Sequence, residues 1–301
     1  MPDTLGGRVP PFVYATPGRA RLARDLLRAA SAALGTAVRL EVLASGGVFR
    51  RLHLEAGSPR ADLVFADGPY MALAAARDDF LEPYQPASAP PAVPGAVSHE
   101  PGWRWTAVDF SPFTLVGNPP TGTLDEAGTL AIPDPARHED GVMLLLAMLD
   151  SARQRSEDQE IVWSYWQRRA QSGGLYLLED PENGAPAAPG GMGHVLLRAG
   201  AGGAPVAGLA PLPNAVGLVR NTPRQAQARA LLDWLAGPEA ARVVGAGTTL
   251  SQWGADANGL AGLARGAPPL DLDWTFAQYR ATRQTWLARG LSPAVALNRS
   301  S

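Results

Sequence analysis

The chain has no cysteine, which excludes disulfides, thiolate metal sites and cysteine nucleophiles together. It has no lysine either: all 26 basic residues are arginine, so no lysine nucleophile or Schiff base is available. Histidine is confined to His53, His99, His138 and His194. Gly-x-Ser-x-Gly, His-Glu-x-x-His and P-loop signatures are missing. Gly190-Gly191-Met192-Gly193 follows no predicted strand, so it makes no case for a dinucleotide site. The net charge of −2 gives no electrostatic argument for nucleic acid or an anionic membrane. No apolar run reaches the length of a membrane-spanning helix, and Met1 to Arg8 lacks the apolar core of a signal peptide. What is present is apolar: 46% of the 301 residues are hydrophobic, enough for two lobes with separate cores. Abundant Ala, Gly, Pro and Arg fit a GC-rich genome better than a functional demand.

The first hundred residues alternate strand and helix. Phe12-Val13-Tyr14-Ala15 is predicted as a strand, Arg19 to Leu34 as a helix with Leu22, Leu26, Leu27 and Ala30 on one face, and Gly35 as its stop. Val38 to Leu43 and Ala61 to Ala66 are further strands; Val48 to Ala56 and Tyr70 to Arg77 are helices. Helical crossovers of this length imply parallel strands. Pro86 to Pro101 is a Pro-, Ala- and Ser-rich loop. Strand character follows from Trp103 to Asn118, broken at Ser111-Pro112, and again at Leu130 to Ile132. Helices are expected at Val142 to Ser151 and at Asp158 to Gln171, where Trp163, Trp166 and Ala170 share a face. Asn183 to Gly208 reads as mostly irregular, with a short strand at His194 to Leu197. Pro213 to Val219 is a buried strand, followed by a helix apolar at Ala228, Leu231, Leu232 and Leu235; Gly237-Pro238 ends it and starts another. The chain closes on a helix from Asp271 to Arg289, with Phe276, Tyr279 and Trp286 spaced for docking.

The run from Pro213 to Val244 resembles the late segment of extracellular solute-binding proteins of ABC importers. Other blocks, in order, are similar to the iron, thiamine and phosphonate branch of that family: Val13-Tyr14-Ala15, the strand to Ser45-Gly46-Gly47, Pro59 to Phe65, Phe80 to Tyr84, Val116 to Pro119 and Ile132 to Pro135. The resemblance implies an α/β, two-lobe, type II periplasmic-binding-protein-like fold. Each lobe would be a mixed, mostly parallel sheet flanked by helices, with a two-strand hinge. Lobe one would comprise residues 1–110 and 214–301 and lobe two 111–213, with a ligand cleft between them and the hinge near Phe110-Ser111-Pro112 and Leu212-Pro213-Asn214. It implies a non-enzymatic, monomeric protein without cofactor. The partners would be a small-molecule or ion ligand and an ABC transporter permease, with no nucleic acid and no direct membrane insertion. The expected location is periplasmic or extracytoplasmic, the leader having been removed.

Within that frame the expected ligand is a small anion or anion-bearing molecule, held at helix starts, where unsatisfied N–H groups and the dipole favour negative charge. Thr16 lies in the first strand-to-helix turn, where it either faces the ligand or caps the helix. Ser45, Gly46 and Gly47 form a turn that either lets backbone approach a ligand closely, with Ser45 donating to an anion or carboxylate, or is an ordinary capped turn. Asp67 follows the third strand and Tyr70 comes just after it. In the other lobe Asp134 follows a strand, with His138 and Asp140-Gly141 at the next helix start; a histidine and two carboxylates so close together can bind metal or form a solvated turn. The stretch aligned with the adjacent tyrosines of iron-binding members is Met192-Gly193-His194-Val195. It has no tyrosine pair, which weighs against ferric iron and leaves His194 as a substitute ligand. Among the tryptophans, Trp253 is the best placed to face a ligand. The alternatives are ferric ion with a synergistic anion, a thiamine-like ligand, or a sensor or adaptor that keeps the fold; an enzyme is the least favoured.

Overall fold

The computed structural model describes residues 9–66, 69–89, 93, 96–116, 124, 129–178, 194–199, 204–206, 208–244, 251, 253, 259–262 and 266–292, with backbone only at Ser45, 69–72, Val116, 194–199 and Ala204. The chain divides into two compact units, Met1–Ser111 with Leu212–Gly262, and Pro112–Pro211 with Leu263–Ser301.

The first unit begins with β1 (Phe12–Ala15), a short 3-10 turn (Pro17–Arg19) and α1 (Ala20–Leu34). Ala23, Leu26, Leu27 and Ala30 recur at helical spacing and are buried, each leucine contributing about 2 kcal/mol. Gly35 ends the helix with φ 62°, a left-handed conformation that glycine adopts without the Cβ penalty. Then come β2 (Arg39–Val42), α2 (Ser45–Leu54), β3 (Leu63–Ala66), α3 (Pro69–Arg77), β4 (Leu81–Glu82) and β5 (Thr106–Ser111). After Pro112 the second unit opens with β6 (Phe113–Val116), β7 (Thr129–Pro133), α4 (Glu139–Gln154), α5 (Glu160–Gln171), β8 (Leu175–Leu178), β9 (His194–Ala199) and β10 (Ala204–Pro205). The chain returns to the first unit as β11 (Leu212–Val219), α6 (Gln225–Leu235) and α7 (Pro238–Val244), and ends in the second unit with α8 (Leu272–Ala288).

The first sheet runs β2-β1-β3-β11-β4, with β5 also paired to β11. Strands β2, β1 and β3 are parallel, as their helical crossovers require. Strand β11 is antiparallel to β3, β4 and β5. Its eight residues are all buried, and Ala228, Leu231, Leu232 and Leu235 of α6 are buried in the same core as Val216 and Leu218. The second sheet runs β10-β6-β9-β7-β8, parallel where β7 meets β8 and β9, antiparallel elsewhere.

Several expectations need correction. Ser45-Gly46-Gly47 is not a turn before a helix but the first turn of α2 itself, since Gly47 N and Val48 N both donate to Ala44 O, at 2.7 and 2.9 Å. Ala170 is exposed and does not share the buried face of Trp163 and Trp166. Leu175–Leu178 forms a strand where none was expected, and the short strand predicted at His194 to Leu197 extends to Ala199. The final helix, expected with lobe one, packs on α4 in the second unit, burying Leu272, Thr275, Thr282 and Trp286.

Candidate functional site

Register brings one set of turns together. Ala15 pairs with both Val42 and Phe65, so β1, β2 and β3 end side by side, and the turns that follow them share one edge of the sheet. Ala215 pairs with Ala66, and Leu212 with Ser111. The start of β11 and the end of β5 therefore lie at this same edge. Buried polar side chains gather there: Thr16, Asp109, Ser111 and Asn214 are each 1% exposed or less.

Thr16 occupies the cap position of the 3-10 turn, but its side chain does not cap it. The turn is held by backbone instead: Thr16 N donates to Phe65 O at 3.2 Å, and Thr16 O accepts from Arg19 N at 3.2 Å. Arg19 turns inward, and its Nη2 donates to Ser111 Oγ. Asn214 Nδ2 donates to the same oxygen at 2.8 Å. The Nε of Arg19 is shut off from solvent with no acceptor. An unmet buried donor of this kind costs about 1–3 kcal/mol. Asp109 lies two residues before Ser111 on the same strand, in register with Asn214. The start of α2 carries no side-chain cap, and a Cβ added at Gly46 would meet nothing within 4 Å, so open space faces that helix start. Asp67 lies outside the described residues, as do the side chains of Ser45 and Tyr70.

The opposite edge of the sheet is structural. Asp62, fully buried, accepts from Phe12 N at 2.7 Å, from Arg224 Nε at 2.7 Å and from Thr222 Oγ1. Tyr14 of β1 donates its one hydroxyl proton to the Glu55 carboxylate, whose two oxygens each lie 3.0 Å away, and burial first, then this acceptor, pushes its phenol up to about 12.

In the second unit Asp134 builds its own turn. Its Oδ1 accepts from Ala136 N at 2.9 Å and from Ser292 Oγ at 2.7 Å, and Arg137 Nε lies 3.9 Å from Oδ2. His138 is the cap residue of α4 but its side chain makes no capping bond; Glu139 and Asp140 fill the first turn. Gly141 packs so closely that a Cβ would come within 2.3 Å of Pro133 O. The two carboxylates of the first turn, Glu139 and Asp140, already answer the helix dipole, which disfavours a further anion there. Among the described residues no group of three or more His, Asp or Glu is placed to hold a metal ion. The His194 side chain lies outside the described residues, its backbone being in β9. Trp253 is half-buried and donates from Nε1 to Ala236 O at 3.1 Å, which anchors it at the end of α6.

The chain matches no family model and no curated protein sequence. Solved structures do match. A substrate-binding protein of an ABC transporter from Agrobacterium tumefaciens superposes with a TM-score of 0.71 at 13% identity, over 94% of this chain and 95% of that one. The IdiA/FutA protein of Trichodesmium, in complex with iron and citrate, gives 0.68 at 12% identity, over 94% and 100%. The periplasmic binding protein AfuA from Actinobacillus pleuropneumoniae, with fructose-6-phosphate bound, gives 0.65 at 13%, over 93% and 98%. The fold is that of a periplasmic binding protein. The turns after β1 and β2 follow from the sequence; a side-chain link among Arg19, Ser111 and Asn214 does not. The sequence places Arg19 only at the start of the first helix, and Ser111 and Asn214 only in the expected hinge, with no side-chain role. The β5–β11 register and the bond from Arg19 join the three side chains.

Proposed function

We propose that the protein is the substrate-binding component of an ABC importer, capturing a small anionic or anion-bearing solute by hinge closure. The observation that carries this reading is the edge described above. There, strand-end turns and a helix start without a side-chain cap accompany Arg19, whose guanidinium retains an unanswered donor. Helix starts and arginine both favour oxyanions. The fold likeness supports it, and the bound fructose-6-phosphate and iron with citrate in two of the similar structures set the range of solutes to test. Closure would act about the strands that pass between the units, β5 into β6 across Pro112, and β11 on the return. The partner is then an ABC permease that reads the closed form, the working location extracytoplasmic, and the protein a monomer that performs no chemistry on its ligand. Ferric ion with a synergistic anion is the second reading; it draws on the iron-bound likeness and has no supporting cluster among the described residues.

Thermal denaturation of ligand-stripped protein tests the reading. The panel is inorganic phosphate, phosphonates, sugar phosphates, thiamine phosphates, small carboxylates, and ferric iron with carbonate. A ligand that binds only the folded state adds about 2.7 kcal/mol at a hundredfold excess over Kd, and a saturable rise in Tm with one class is expected. No rise with any of them would remove the importer reading.

A further inference from the structure

Arg19, Ser111 and Asn214 form a relay whose last donor has no acceptor. Asn214 Nδ2 donates to Ser111 Oγ at 2.8 Å, and Arg19 Nη2 donates to the same oxygen. A serine oxygen that accepts twice has used both lone pairs, so its proton must go to a third group. Ser111 and Asn214 are each 1% exposed and sit on paired, buried strands, so the oxygen that receives Arg19 is fixed by the sheet. The guanidinium plane is fixed in turn, with Nε inward and unanswered. Arg19 itself is half-buried, at the junction of the 3-10 turn and α1, so it is the member of the relay nearest solvent.

At the other end of the same sheet Arg224 Nε meets a carboxylate oxygen of Asp62 at 2.7 Å. Arg229 leaves its Nε unanswered too, but its Nη2 meets the Glu82 carboxylate at 2.7 Å, whereas Arg19 donates to a neutral hydroxyl. Arg19 keeps back the donor that, in an arginine, stands beside Nη2 on the edge suited to an oxyanion.

Resting on the importer reading, we propose that Arg19 is the anion-binding residue of this protein, donating from Nε to a carboxylate, phosphate or phosphonate oxygen of the solute. Ser111 and Asn214 are positioning residues that set the guanidinium plane and do not themselves select the solute. The shared chemistry is an oxyanion accepting from a side-on guanidinium; titration with each probe separates the classes.

The test is isothermal titration of the full, ligand-stripped chain with inorganic phosphate, methylphosphonate and succinate, together with the melting temperature of each unliganded variant. Arg19→Gln is expected to weaken binding of the effective probe by about 10- to 100-fold, the worth of one charge-assisted bond, while the unliganded Tm stays near that of the wild type. Asn214→Ala is expected to weaken binding less, and to add nothing in the Arg19→Gln background, a coupling that a merely structural role would not produce. Should Arg19→Gln be too unstable to titrate, Arg19→Lys keeps the charge, loses the planar Nε–H, and is expected to lose about tenfold. Wild-type affinity in either Arg19 variant overturns the assignment while leaving the importer reading intact. A wild type that binds none of the three probes overturns the assignment to oxyanions; if it also fails across the wider melting panel, the importer reading falls with it.

Discussion

Arg153 on α4 and Asp271 at the head of α8 lie 118 residues apart in the chain and 2.8 Å apart in space. Asp150, 1% exposed, locks the same joint. It accepts from Arg153 Nε at 3.0 Å, Arg153 Nη2 at 2.7 Å, Gln154 Nε2 at 2.8 Å and Asp271 N at 2.8 Å. Asp271 then caps α8 by accepting from Trp274 N at 3.0 Å. This joint ties the head of the last helix to α4 within the second unit. Asp150→Ala should lower stability by about 2–3 kcal/mol, because several donors lose their acceptor while Arg153 can still reach water. The urea midpoint reports it; a loss below about 0.5 kcal/mol would contradict the account.

Asp62 is the test of a structural edge. Its carboxylate is fully buried and answers Arg224, Thr222 and Phe12 N, so Asp62→Ala leaves a guanidinium and a backbone donor without their partner. A cost of about 3–5 kcal/mol is expected. The variant protein that remains folded at low temperature should bind solute with wild-type affinity, since Asp62 stands at the opposite ends of β1 and β3 from Arg19. A large affinity loss would show that the two edges are not separable.

Gly46 distinguishes fold from site in the opposite sense. It lies in the first turn of α2 facing open space, so Gly46→Ala should raise unliganded stability by about 0.5–1 kcal/mol through helix propensity. The added methyl occupies the space where solute backbone contact is proposed, so affinity should fall. Unchanged affinity would remove the α2 start from the site.

Tyr14 predicts an alkaline limit. Its folded pKa is raised from 10.0 to about 12 by burial and by its bond to Glu55. A raised pKa means that the stabilisation is complete below the unfolded value of 10.0 and is lost as pH climbs through about 12. Between about pH 10 and about pH 12 the wild type should therefore lose more stability than Tyr14→Phe, which has nothing to ionise there. Parallel curves for the two proteins would contradict this.

Local signals carried much of the fold. Strand β1, helix α1 with its Gly35 stop, and the β11–α6–α7 run are where apolar spacing and Gly-Pro punctuation placed them, because those signals are written within a few residues. Direction is not local: nothing in Leu212–Val219 states that it runs antiparallel to β3. Strand β8 follows α5 after a short Gly turn and has only Leu175, Tyr176, Leu177 and Leu178 to announce it, too short a run to separate from a helix end. The site was legible in the same proportion. The turns after β1 and β2 follow from the strand-helix alternation, whereas Arg19, Ser111 and Asn214 meet only through pairings about a hundred residues apart. Asp134, by contrast, looked available in the sequence and is engaged by Ser292, 158 residues later.

The central claim is capture by closure, and small-angle X-ray scattering of monodisperse protein with and without saturating solute measures it most directly. The solute is whichever compound raises the melting temperature. The account predicts a smaller radius of gyration in the liganded state, with Arg19→Gln at the same solute concentration retaining the unliganded value. Full occupancy with an unchanged radius would contradict closure and leave a static binding site in its place.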